Sequence, residues 1–164
     1  MVKIMKNSWI YFLVIYMFSS CGNNRIIKQK VKDINSVFWH KDSIVKINFK
    51  PKSNKNYDLS FLIRNDINYP YSNIFLIAKI EGKNKKIIDT LEYEMADEKG
   101  NWLGSGFGEI KESKLLYKKN YRFKDTINYE ISVRQATRKT GNLQGDTVLN
   151  GIKTVGIIIE KSIK

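Results

Sequence analysis

The sequence predicts an all-β protein: a single antiparallel β-sandwich, jelly-roll or immunoglobulin-like, behind a cleaved lipoprotein signal peptide. Three observations carry this. From Ser43 onward apolar residues repeat with a period of two. Turn-forming clusters punctuate the runs at short intervals. No helical stripe exceeds two turns, apart from a possible short one over 111–117. Seven or eight short strands at that spacing suit a sandwich.

The first twenty residues address the chain to a membrane. Lys3 and Lys6 make a basic start, Trp9 to Phe18 is an unbroken apolar run, and Ser19 and Ser20 precede Cys21. Charge, apolar core and small residues in that order are a secretory signal peptide. The run is far shorter than the ~20 apolar residues a helix needs to cross the hydrocarbon core. Cys21 is the sole cysteine, so no disulfide can form within the chain. Its position matches the bacterial lipobox, in which cysteine is acylated, palmitate included, and becomes the mature N-terminus. Phe18 stands where lipoboxes usually carry leucine. Acyl chains at ~0.8 kcal/mol per buried CH₂ make a stable anchor. Gly22, rather than an aspartate, follows the cysteine, which by analogy predicts sorting to the outer membrane. Residues 23–28 hold no acidic run of the kind associated with lipoprotein surface export, so by the same analogy the domain is expected to face the periplasm.

Three segments result: the signal peptide over 1–20, a lipidated N-terminus and flexible tether over 21–36, and a β-sandwich domain over 37–164. The whole chain carries +13; without Lys3 and Lys6, 27 basic residues remain against 16 acids, a net +11. Such a balance is compatible with polyanions. The lysines are scattered, however, and export argues against nucleic acid.

The strands follow in order. Val45, Ile47 and Phe49 alternate with Ile44, Lys46 and Asn48. Tyr57, Leu59, Phe61 and Ile63 share one face, as do Ile127, Tyr129, Ile131 and Val133. "NIFLIAKI" and "VGIIIEK" are apolar on both faces, which predicts central strands covered on both sides. Residues 51–56 and 81–84 are turn chemistry between them.

The stretch "DTLEYEMADEKGNWLGSGFGEIKE" (89–112) concentrates carboxylates, glycines and aromatics. Glu92 and Glu94 fall on one strand face against Leu91, Tyr93 and Met95, which suits a wet face better than a glycosidase pair. Gly104-Ser-Gly-Phe-Gly108 lacks the spacing of a phosphate loop and fits a bent strand. Asp97, Glu98 and Asn101 are too sparse for a calcium loop. His40 is the sole histidine and no GxSxG elbow accompanies it. No His/Cys cluster suggests zinc. A non-enzyme is expected, with no metal, no cofactor and no small-molecule substrate. Loop aromatics Tyr69, Tyr71, Trp102 and Phe107 remain as candidate partner-binding residues, or as plugs of the sandwich ends.

Three separated strings, "RNDINYPYSNIFLI" (64–77), the 89–118 stretch and "VGIIIEK" (155–161), resemble the GldH family of gliding-motility lipoproteins from Bacteroidetes. The resemblance runs from about Trp39 to Lys161. It implies a non-enzymatic lipoprotein of the gliding machinery associated with type IX secretion, partnered by other proteins of that machinery. A carbohydrate-binding sandwich is the alternative, and it requires coplanar exposed rings.

Overall fold

The computed structural model describes residues 25–34, 38–139, 141 and 145–163. Cys21 and the signal peptide lie outside the described residues. Ten strands occur among them: β1 (Ile26–Asp33), β2 (Phe38–His40), β3 (Val45–Phe49), β4 (Tyr57–Asn65) and β5 (Asn73–Gly82), then β6 (Lys85–Glu94), β7 (Lys111–Tyr121), β8 (Tyr129–Gln135), β9 (Val148–Asn150) and β10 (Ile152–Lys161).

Two four-stranded antiparallel sheets, β1-β10-β4-β7 and β3-β8-β5-β6, face each other, and β2 pairs with β9 beside them. Apart from the β5–β6 hairpin, successive long strands change sheet, which is the jelly-roll arrangement rather than the immunoglobulin one. The period-two faces read from the sequence meet between the sheets. Val45, Ile47 and Phe49 lie on one side of the core, Leu59, Phe61 and Ile63 on the other, and all are buried. Leu76, Ile80 and Ile131 pack with Ile157 and Ile159 in the same core.

Two expectations are corrected. Residues 26–33, expected in the flexible tether, are an edge strand paired along β10 from Ile26↔Glu160 to Asp33↔Thr154. All eight are exposed, so no buried face imprints a period on the sequence. Backbone pairing holds the strand, and lysines on its inward side close the gap to β3: Lys28 Nζ donates to the Asn48 carbonyl (2.5 Å) and Lys32 Nζ to Ser43 Oγ (2.9 Å). Inward-pointing lysines also guard an edge against further pairing. The possible helix over 111–117 is instead the start of β7, which pairs with β4 from Asn65↔Lys111 to Tyr57↔Tyr121. Its Lys, Glu and Leu favour helix weakly. Pairing with a buried strand overrides that preference.

Strand ends gather at two poles. One holds the β3–β4, β5–β6 and β7–β8 connections together with Arg25 and Lys161. The Lys161 N–H donates to the Arg25 carbonyl (2.9 Å) and the Ser162 N–H to that of Asn56 (3.0 Å). A pile of rings closes this Phe123 pole, with Tyr129 at 4.8 Å, Tyr121 at 4.9 Å and Phe49 at 5.7 Å from the Phe123 centroid. The other pole holds the β4–β5, β6–β7 and β8–β9 connections around Tyr69. There Gly151, at φ +75°, passes so close that a Cβ would lie 2.2 Å from the Tyr69 nitrogen, a site that no other residue fits.

Candidate functional site

The β4–β5 connection is held from within. Asp66 accepts the Asn68 N–H on Oδ1 (2.9 Å) and Asn68 Nδ2 on Oδ2 (3.1 Å), while Lys153 Nζ lies 2.9 Å from Oδ2. Burial pushes the Asp66 carboxyl up, but Lys153 and the Asn68 donors outweigh it and hold it below the usual carboxylate range. This turn drives Tyr69 inward, where it is 3% exposed and donates through Oη to the Asn73 carbonyl (2.7 Å). Tyr71 is half-buried and donates to Asp146 Oδ2 (2.5 Å). That hydrogen bond to a carboxylate, helped by burial, pushes its phenol up to about 12.

Trp102 sits in a bridge with Ala96 and leans on Tyr69 at 6.0 Å and 48°, whereas Tyr71 meets Tyr69 at 6.0 Å and 70°. The structure therefore brings three of the four aromatics together as one tilted cluster. These rings are not coplanar, and they offer a sugar no flat platform. Phe107 stands apart. Gly106 and Gly108, both at positive φ, turn the chain around it, and its ring is fully exposed. Leu103 and Ile110, 56% and 46% exposed, flank it and make an apolar loop surface that the sequence reading did not single out.

A second feature went unread in the sequence. On the outer face of the β3-β8-β5-β6 sheet, next to Asp146, lies an open groove of about 720 Å³. Phe75 and Ile77 of β5 form its floor, and Lys41, Arg134 and Arg138 line it. Among the described residues these three cations have no side-chain hydrogen bond or ion pair, and Asp146 is already engaged by Tyr71. The available signal was the apolar outer face of "NIFLIAKI". It was expected to be covered, and instead it is half-buried and floors the groove. The groove suits an acidic segment with an apolar side chain.

Comparison with known proteins decides the family. The sequence profile of the GldH lipoprotein family matches residues 26–159. This chain belongs to that family. A gliding motility lipoprotein GldH homolog from Christiangramia forsetii is 46% identical over 156 residues, covering 94% of each chain. The gliding motility lipoprotein GldH of Flavobacterium johnsoniae is 41% identical over 160 residues, covering 95% of this chain and 97% of the relative. Among solved structures, the infectious bursal disease virus VP2 subviral particle covers 85% of this chain and 39% of its own, at a TM-score of 0.29 and 12% identity. That likeness is too slight to bear on the fold or the function. The family match starts at Ile26, so β1 belongs to the GldH-type domain and not to a linker.

Other polar residues of this GldH-family chain make local contacts. Asn73 Nδ2 donates to Glu92 (2.5 Å) across the β5–β6 pair, and Glu94 is exposed at the strand end. Asp97 closes its own turn, accepting the Lys99 and Asn101 N–H groups (2.9 and 2.7 Å) and Asn101 Nδ2. The Asn101 bonds chiefly, despite slight desolvation, hold its carboxyl below the usual range. His40 and Asp42 share an exposed turn, Nδ1 to Oδ2 at 3.5 Å. Along the open seam between β6 and β7, Lys118 Nζ (2.9 Å) and Tyr117 Oη (2.7 Å) donate to Asp89 and depress its carboxyl, while Tyr93 Oη caps the Leu116 carbonyl (2.8 Å).

Proposed function

We propose that this protein is a lipid-anchored, non-enzymatic part of the gliding-motility machinery at the outer membrane. In this reading it faces the periplasm, is associated with type IX secretion, and acts through protein–protein contacts at its Tyr69 pole. Membership of the GldH lipoprotein family carries the proposal. Two surface features support contact with proteins: the apolar Leu103–Phe107–Ile110 loop, and the groove with its three unengaged cations. Neither presents a nucleophile beside a base or two facing carboxylates.

Replacing the chromosomal copy tests the proposal. Cys21→Ser should abolish colony spreading and release or mislocalise the chain. Glu92→Gln should spread normally, because among the described residues Glu92 bonds Asn73 alone, across the β5–β6 pair. Loss of spreading in a folded, correctly localised Glu92→Gln strain would argue for catalysis instead. Protease added to intact cells should leave the domain uncut.

A further inference from the structure

The two poles differ in charge as well as in shape. The connections 50–56, 83–84 and 122–128 hold six basic residues and one acid. Lys85, Lys86, Lys119 and Lys161 extend this surface along the neighbouring strand ends, where the acids Asp58 and Glu81 are each paired with a cation, Arg25 and Lys79. At the opposite pole, connections 41–44, 66–72, 95–110 and 136–147 hold six acids and four bases. The charge that looks scattered along the sequence is sorted by the topology.

The cations at the Phe123 pole are also unspent. Arg25 pairs with Asp58, Arg122 bonds Asn54 and Lys86 stands opposite Glu81, whereas Lys50, Lys52, Lys55, Lys83 and Lys85 make no ion pair among the described residues. Three large aliphatic side chains stand exposed at the same pole: Ile26 and Ile27 at 50% and Ile163 at 66%. Basic residues interleaved with exposed apolar ones suit a lipid interface, where phosphates and the acyl boundary are offered together.

We infer that the Phe123 pole is a docking surface for an anionic bilayer, seating the domain upright with the Tyr69 pole turned away from the membrane. The inference rests on the reading that Cys21 carries the lipid. Cys21 is four residues before Arg25, so at full extension it reaches at most about 14 Å from this pole. The Tyr69 pole lies a strand length further out, roughly 26 Å along the eight residues of β1. With a Debye length of ~8 Å at physiological ionic strength, only the near pole feels the surface charge. The far pole, whose connections hold six acids against four bases, has no comparable excess of positive charge to favour the inverted orientation. Docked in this way, the domain holds the apolar loop and the groove out toward a protein partner.

Site-specific labelling tests this on the acylated full chain, since acylated Cys21 leaves any introduced cysteine as the sole free thiol. A fluorophore is placed at Asn84→Cys or at Phe107→Cys, and the quencher is attached to lipid headgroups. In vesicles containing phosphatidylglycerol, quenching should be several-fold stronger at residue 84. That difference should collapse in pure phosphatidylcholine, at about 1 M salt where the Debye length is ~3 Å, and in the Lys52→Glu/Lys55→Glu variant. Equal quenching at both positions overturns the inference, as does an asymmetry that persists without anionic lipid. The mass of the N-terminal peptide reports acylation separately. An unacylated chain that still docks by residue 84 would therefore end the anchor reading and not this one.

Discussion

The sandwich is closed by aromatic rings at both poles, but the rings are held differently. Around Phe123 they stack on one another: Tyr121 at 87°, Tyr129 at 52° and Phe49 at 58° to its plane. Around Tyr69 the rings are wired to oxygen acceptors, Tyr69 to the Asn73 carbonyl and Tyr71 to Asp146. Closure chiefly by ring packing, with Tyr57 Oη accepting only the Lys52 N–H (2.8 Å), is indifferent to pH below the phenol range and leaves most of the loops above it free to carry charge. Closure by phenol hydrogen bonds fixes loop geometry, at the cost of making that geometry titratable. The pole that needs only a charged surface has the first kind. The pole that must hold a shape has the second.

The largest expected effect is at the packed pole. Phe123 is 8% exposed and sits centrally among Phe49, Tyr57, Tyr121 and Tyr129. Phe123→Ala should cost about 3–5 kcal/mol, since the transfer and cavity contributions add. The loss should be constant across neutral pH, as read from urea unfolding midpoints, and free to change only in alkali, where burial holds the neighbouring Tyr121 phenol above its usual range. A loss that varied within the neutral range would mean that the rings also hold a further titrating group.

Much of the fold is legible because burial leaves a period in the chain. β3, β4 and β8 show it, and their buried faces are those predicted. β1 is not legible, for it has no buried face, and β7 is disguised by lysine, glutamate and leucine. The candidate site was legible only as residue types. Tyr69, Tyr71, Trp102 and Phe107 look alike as loop aromatics, yet the Asp66 turn buries the first and two positive-φ glycines expose the last. Pole charge could not be read at all, because it depends on which connections end up side by side.

A smaller effect, of distinct form, is expected at the wired pole. Tyr71→Phe should remove about 1 kcal/mol at neutral pH by deleting one hydrogen bond. The native phenol titrates near 12, against about 10 unfolded. Because the folded value is raised, the stabilisation is complete below about 10 and is lost as pH rises toward 12. The gap between wild type and variant should therefore narrow across that window, measured as unfolding free energy at each pH. A gap that stays constant would show that Asp146 does not hold the phenol proton.

The smallest effect on stability should come from the residue most exposed to a partner. The Phe107 ring is fully exposed, so Phe107→Ser removes no packing, and surface changes of this kind stay within about 0.5 kcal/mol. Trp102, five residues earlier, leans on Tyr69 and belongs to the closure of the pole. Trp102→Ser should lower both stability and colony spreading, which does not separate packing from recognition. Phe107→Ser does separate them, because its unfolding midpoint should be unchanged while spreading falls. An exposed aromatic on a loop turned by Gly106 and Gly108 gains little by remaining in water, and a partner pocket that excludes water would supply the missing contact. If Phe107→Ser and Leu103→Ser both spread at wild-type rates, the apolar loop is not the contact, and the Lys41–Arg134–Arg138 groove is left as the recognition surface of that pole.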